Sequence, residues 1–127
     1  MITLEHIIAG QDQLLQAARA EFENRRERER FTFAGLLGEP AWDMMLDLFI
    51  SWAEGRPTKI KDLCVMSQIA DATAHRHLAA LEHAGMIHRR RAEHDGRVVI
   101  VALTERGIQE MGTYLATRFA TLSPDSC

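Results

Sequence analysis

Cationic side chains gather in the middle of this sequence. Three consecutive arginines (89–91) precede a short polar segment, and Arg97 follows it. Residues 56–97 carry 8 Lys/Arg against 5 Asp/Glu, whereas residues 1–55 carry 5 against 10, and five of the six histidines also lie in the middle segment. Guanidinium groups donate paired hydrogen bonds to phosphate oxygens and to the acceptor edge of guanine. This pattern favours the recognition of a polyanion.

A helix is predicted from Asp71 to about position 84, because Asp71 can cap its start and Gly85 suits the left-handed position beyond its end. At about 100° per residue, Ala74, Leu78 and Leu81 share one face, which we expect to be buried. The opposite face and its flanks combine small residues with a cation, and can approach the base edges of the DNA major groove. The residues expected to read bases are Ala72, Thr73, His75 and Arg76.

A β-hairpin is predicted after this helix. Residues 86–91 and 97–103 flank a polar tip that contains Asp95-Gly96, and the second arm is rich in β-branched residues. An arginine on such a tip suits the concentrated negative potential of a narrow minor groove, so Arg97 is the candidate for insertion. Asp95 is expected to hold the Arg97 guanidinium in place without touching DNA. Other contacts are expected from Thr58, Lys59, Arg90, Arg91 and His94.

The remaining elements of this part of the chain are predicted to be helices. One begins at Pro40, whose missing N–H is tolerated in a first helical turn, and ends at Gly55. Thr58 is the expected N-cap of a short helix that ends in a turn at residues 67–70, and Thr104 is expected to cap the last helix. The order helix, helix, helix-turn-helix, β-hairpin, helix predicts a mainly α protein with a small β-hairpin (α+β), a winged helix-turn-helix.

An N-terminal helix over residues 1–30 is predicted to pair two copies of the chain. Its seam positions recur in alternating steps of four and three, as in paired helices. The seam consists of Leu4, Ile8, Gln11, Leu15, Ala18 and Phe22. The DNA-binding core is expected over residues 38–103 and a C-terminal helix over residues 104–122, all in one compact domain.

Several short motifs follow one another in this order. Residues 73–76 read Thr-Ala-His-Arg, residues 81–87 read Leu-Glu-His-Ala-Gly-Met-Ile with two arginines just beyond, and Asp95-x-Arg97 precedes Leu103-Thr104. Over about residues 41–110 the chain thereby resembles the MarR family of bacterial winged-helix regulators. The resemblance implies a homodimer that binds near-palindromic double-stranded DNA, with a small-molecule effector of unknown identity near the dimer contact. MarR regulators pack their first helix and their last two helices across the twofold axis of the dimer, whereas we expect one helix after Thr104 in this chain.

Other functions receive less support from the sequence. No nucleophile with a base, pair of acids or phosphate-binding glycine loop is recognisable, so we expect neither an enzyme nor a cofactor. His75 and His77 point about 200° apart on one helix, which disfavours a metal site. Cys64 falls beside Leu63 in an apolar pattern typical of an inert core residue. A winged helix that binds an acidic protein partner and not DNA remains the alternative.

The cellular location is predicted from cysteine content and hydropathy. The chain has two cysteines, no pattern of an export signal, and no wholly apolar run longer than Val98 to Leu103. We expect a bacterial cytoplasmic protein that does not enter a membrane.

Overall fold

The computed structural model describes residues 2–28 and 40–119. Within these ranges the chain forms six helices and three strands. The helices are α1 (Leu4–Ala9), α2 (Gln11–Arg28), α3 (Pro40–Glu54), α4 (Ile60–Ser67), α5 (Asp71–His83) and α6 (Glu105–Phe119). The strands are β1 (Thr58–Lys59), β2 (Ile87–Arg91) and β3 (Val99–Leu103). The predicted fold class, a mainly helical winged helix-turn-helix with a small β-sheet, is confirmed.

Helix α3 is the centre of the core. It packs against α2, α4, α5, α6 and β3, and its residues Met44, Leu46 and Phe49 are completely buried. Burial on several sides explains why this helix is apolar over most of its circumference. The helix begins at Pro40, as predicted, and Gly55 follows its last residue with a φ of +70°. That left-handed conformation lets the chain turn directly into β1.

Helices α4 and α5 form the helix-turn-helix. The turn lies within the predicted residues 67–70, and Gln68 adopts a left-handed φ of 59° there. The N-caps predicted for these two helices, Thr58 and Asp71, were wrong. Thr58 pairs with Val101 in the β1–β3 ladder, and α4 begins only after Lys59. Ala70 is the N-cap of α5, so Asp71 lies one position inside the helix, where its carboxylate still faces the positive end of the helix dipole.

The sheet is antiparallel in the order β1-β3-β2. Ile87 pairs with Leu103 at one end of the hairpin and Arg91 with Val99 at the other. The side chains of Ile87 and Leu103 are buried against the helices. The structure agrees with the predicted hairpin, and β1 is an addition. Two residues are too short a strand to leave a period-two pattern in a sequence.

The N-terminal segment is not the single helix that was predicted. It forms α1 and α2, and the break lies at the buried Gly10, whose N–H donates to the carbonyl oxygen of His6 at 2.9 Å. The break lets α1 pack on α6 while α2 packs on both α3 and α6. Ile7 is fully buried, and a Cβ on Gly112 of α6 would lie 2.7 Å from its side chain. The predicted limits at residues 29–30, 38–39 and 120–122 lie outside the described residues.

None of the helices in the described ranges has the length and apolar composition needed to span a lipid bilayer.

Candidate nucleic-acid interface

Helix α5 has one face in the core and one face open. Ala74 and Leu78 are fully buried, as the helical pattern predicted. Ala72, His75 and Arg76 are exposed, and Thr73 is partly buried. The guanidinium of Arg76 donates to the Thr73 hydroxyl at 3.3 Å. The four residues expected to read bases therefore lie within about one turn of α5, and none of their side chains is buried in the core.

The wing, defined here as residues 88–99, carries three consecutive arginines with three different environments. The guanidinium of Arg89 donates to the Glu82 carboxylate on α5 at 2.7 Å. The guanidinium of Arg91 donates to the carbonyl oxygen of Gly96 at 2.6 Å and so braces the wing tip. Arg90 is exposed, and its guanidinium makes no hydrogen bond or ion pair with the described residues. Arg90 is consequently the arginine of the three with an unengaged guanidinium.

The tip of the wing is a short hydrogen-bonded turn. The N–H of Val98 donates to the carbonyl oxygen of Asp95 at 3.0 Å. The Asp95 carboxylate accepts from the backbone N–H of Arg97 at 3.0 Å and from the Arg97 side-chain Nε at 3.1 Å. Despite this contact the Arg97 side chain is 92% exposed. Asp95 thus holds one edge of the Arg97 guanidinium while most of the side-chain surface stays exposed, as expected for these two residues.

Two cations act on the Asp95 carboxylate. Hydrogen bonds from the Arg97 side chain and backbone hold the pKa of Asp95 below its ordinary value, and the positive charge of Lys59 lowers it further. Lys59 is exposed in β1. The carboxylate therefore stays ionised at neutral pH, and the charge of Lys59 acts on the wing from the neighbouring edge of the sheet.

Thr104 joins the loop that follows α5 to the start of α6. Its hydroxyl donates to the carbonyl oxygen of Gly85 at 2.6 Å and accepts from the N–H of Gly107 at 3.0 Å. Its own N–H donates to the carbonyl oxygen of Met86 at 3.0 Å. The predicted cap of the last helix is therefore present, and the same side chain also fastens the loop that leads from α5 into β2.

Other predicted contact residues have mixed environments. His94 and Arg91 are exposed in the wing. Thr58 is only 8% exposed, because it lies inside the β1–β3 ladder, and we leave it out of the contact surface proposed below.

The six residues of the predicted dimer seam do not share one environment. Ala18 is fully buried within its own chain, whereas Ile8 is 52% exposed. Leu4, Leu15 and Phe22 are partly buried against the core. The side-chain amide of Gln11 donates to the carbonyl oxygen at the end of α3 at 3.0 Å. Ile8 is thus the most open position of the seam.

The ion pair between Glu82 and Arg89 was not predicted from the sequence. Glu82 lies on α5 and its partner Arg89 on β2, seven residues later and in a different element. The hydrogen bond lowers the pKa of Glu82 and raises that of Arg89. Spacing rules identify ion pairs within one helix, but a pair that bridges a helix and a strand depends on the turn between them.

The described residues contain no group of three or more His, Cys, Asp or Glu side chains placed to hold a metal ion. Cys64 is buried, and burial raises the pKa of its thiol, with a smaller contribution from the charge of Asp71. A groove of about 410 Å³ lies between the end of α3 and the sheet, with Trp52, Pro57 and Arg90 among the residues that line it.

The fold and this site together define a winged-helix protein with a cationic hairpin and a helix, α5, whose outer face is exposed. Residues 47–113 match the model of the family described as Transcriptional regulator SarA/Rot. The chain belongs to this family of transcriptional regulators. The membership confirms the predicted class, a winged-helix DNA-binding transcription regulator, and the prediction that the chain is not an enzyme.

Solved structures of ZitR from Lactococcus lactis are also similar to this chain. A double-mutant form has 23% identity and a TM-score of 0.49, with 64% of this chain and 51% of the ZitR chain aligned. A single-mutant form has 25% identity and a TM-score of 0.48 over the same shares. In an apo form of the double mutant the shares are 94% and 75%, at 21% identity and a TM-score of 0.49. In the first of these alignments the chain spans about half the length of ZitR. No curated protein matches the chain.

Proposed function

We propose that this chain binds a near-palindromic DNA duplex as a homodimer, with α5 of each protomer in a major groove and the wing in the adjacent minor groove. Residues 72, 73, 75 and 76 read base edges, and Arg97 enters the minor groove. Lys59, Arg90, Arg91 and His94 bind or attract the phosphates. This assignment goes beyond the family membership and rests on the side chains of this chain.

The observation that carries the proposal is the exposure of the outer face of α5 and of the Arg97 side chain, which must both reach the bases. The small residue Ala72 and the cation Arg76 lie on the open face of α5. Arg97 is 92% exposed at the end of the hairpin, with its backbone N–H held by Asp95. A small residue lets the helix approach the groove floor, and an arginine then reaches the acceptors of guanine.

The second part of the proposal concerns assembly. A helix-turn-helix dimer reads two half-sites whose centres lie about 10 bp apart, or a multiple of that. Ile8 on α1 is 52% exposed and Tyr114 on α6 is 36% exposed, and α1 packs on α6, which supports an apolar contact between copies that involves these two helices. Both residues belong to the part of the chain from which MarR regulators build their dimers.

We also propose that the chain is a regulator of the MarR type. The bonds between Asp95 and Arg97, and those of Thr104, support it, because the motif residues make local contacts that a wing requires. From the same resemblance we also propose a small-molecule effector of unknown chemistry. We propose a location in the bacterial cytoplasm as well.

A mobility-shift titration with mixed duplex DNA at rising salt tests the binding itself. A protein that neutralises phosphates loses affinity linearly on logarithmic axes. We expect Arg76→Ala to loosen base preference at one position per half-site, while Arg97→Ala weakens binding most at AT-rich flanks. Arg19→Ala, which removes the same charge from the exposed surface of α2, serves as the charge-matched control. Unchanged affinity and preference in both variants would contradict the proposal, and no shift at low salt would favour the protein-interaction alternative.

A further inference from the structure

We propose that Glu82 and Arg89 form a positioning pair that sets the angle between α5 and the wing. The pair thereby tunes the preference of the protein for one DNA sequence over another. The inference rests on the proposed function, since it concerns how two DNA-contacting elements are held together. Neither residue is assigned a contact with DNA.

The geometry of the pair is the first observation. Nη2 of Arg89 lies 2.7 Å from Oε1 of Glu82, which is a charge-assisted hydrogen bond of good length. The Glu82 side chain is 40% exposed and that of Arg89 is 29% exposed. Arg89 is thus the least available of the three consecutive arginines, and its guanidinium points to α5.

The position of the pair in the fold is the second observation. Glu82 is one residue from the end of α5, and Arg89 pairs with Val101 in the middle of the β2–β3 ladder. The three residues between α5 and β2 form a tight turn in which Gly85 has a φ of +80°. Thr104 fixes that turn through the carbonyl oxygens of Gly85 and Met86. Both Thr104 bonds lie at the turn, whereas the ion pair joins the helix and the strand directly.

The charge of Glu82 makes the proposal testable. A carboxylate beside a DNA-binding surface repels phosphates, so its neutralisation should raise affinity for every duplex equally if electrostatic repulsion is its whole effect. A positioning role gives a different result. Affinity for the preferred duplex then falls relative to affinity for other duplexes, because the two elements no longer meet the two grooves at the best angle.

The experiment compares two duplexes with the unchanged protein and its variants. One duplex is the sequence that the unchanged protein enriches from a random library, and the other is a scrambled duplex of the same length and composition. For Glu82→Gln and for Arg89→Gln we expect the ratio of the two affinities to fall about fivefold, since a part-exposed ion pair contributes up to that factor. The exchanged pair, Glu82→Arg with Arg89→Glu, should recover most of the ratio.

Several results would overturn the inference. An equal gain of affinity for both duplexes in Glu82→Gln shows that the carboxylate acts by repulsion alone. Failure of the exchanged pair to restore the ratio, with a far-ultraviolet spectrum and a melting temperature like those of the unchanged protein, shows that the ion pair does not set the angle. Should either glutamine variant fail to fold, Arg89→Lys keeps the charge but loses the planar guanidinium, and an unchanged ratio there counts against the pair. If the unchanged protein binds no duplex, the proposed function fails and this inference fails with it.

Discussion

Replacing Arg97 by glutamine is expected to reduce the salt dependence of DNA binding while leaving stability nearly unchanged. The Arg97 side chain is 92% exposed and its ion-pair partner Asp95 is 41% exposed. Ion pairs this open contribute little to the free energy of unfolding, so the urea midpoint should barely move. A dimer loses one cation on each half-site. Because each neutralised phosphate contributes about 0.9 to the slope of log K against log salt, the slope should become shallower by about 1.8.

The assay is fluorescence anisotropy of a labelled duplex, titrated at salt concentrations between about 50 and 200 mM, the range over which phosphate contacts dominate. Arg19→Gln is the matched control. It removes the same charge from α2, and the carboxylate of its partner Glu54 keeps a second arginine, Arg56. The control should keep the slope of the unchanged protein. A slope in Arg97→Gln equal to that of the unchanged protein, or an equal loss in Arg19→Gln, would refute the assignment of Arg97 to the DNA surface.

Three further predictions concern the frame that holds the site. Gly107→Ala should lower the free energy of unfolding by about 1–3 kcal/mol, because the added Cβ would lie 2.2 Å from the Met86 carbonyl oxygen. Urea unfolding measures it, and Gly96→Ala is the control, since a Cβ there has no neighbour within 4 Å. Thr104→Val should cost about 1–2 kcal/mol in the same assay, because its hydroxyl makes two hydrogen bonds. Arginine partners lower the pKa of Glu54, so the stability it contributes is present above the ordinary carboxyl pKa and is lost as the pH falls through the depressed value.

Each of these three has a result that would contradict it. For Gly107→Ala it is a urea midpoint like that of the control alanine. For Thr104→Val it is unchanged stability. For Glu54, melting temperatures measured across acidic pH should show a weaker loss in Glu54→Gln than in the unchanged protein, and identical pH profiles would refute the pairing.

The helix-turn-helix and the wing could be predicted from sequence because their signals are local. Buried positions on α5 recur at helical spacing, and Ala74 and Leu78 are indeed completely buried. The run of β-branched residues after Gly96 forms β3, and Thr104 caps α6. Each of these features depends on residues within about one turn of helix or one hairpin.

The parts that escaped prediction depend on contacts between distant segments. The break at Gly10 accompanies the packing of Ile7 against Gly112, more than one hundred residues away. Thr58 has the residue type of an N-cap, yet pairing with Val101 makes it part of a strand. Tertiary pairing overrides a local preference in both cases.

The candidate site shows the same division. The sequence placed the cations in the wing and on α5 and named Arg90 and Arg91 as contact residues, but it did not show which guanidinium of residues 89–91 is engaged within the chain. The structure separates them through partners in other elements, Glu82 for Arg89 and Gly96 for Arg91. The turn between α5 and β2 brings Arg89 to Glu82, and the hairpin tip brings Gly96 to Arg91, so Arg90 is left with an unengaged guanidinium. Residue types alone do not give the directions of these side chains.

Selection of bound sequences from a random duplex library tests the central proposal most directly, because one data set reports binding, symmetry and spacing. We expect enrichment of two inverted half-sites whose centres lie about 10 bp apart, or a multiple of that distance. An AT-rich step is expected where each wing enters the minor groove. Enrichment of a single asymmetric half-site, or of no sequence at all, would contradict the proposal.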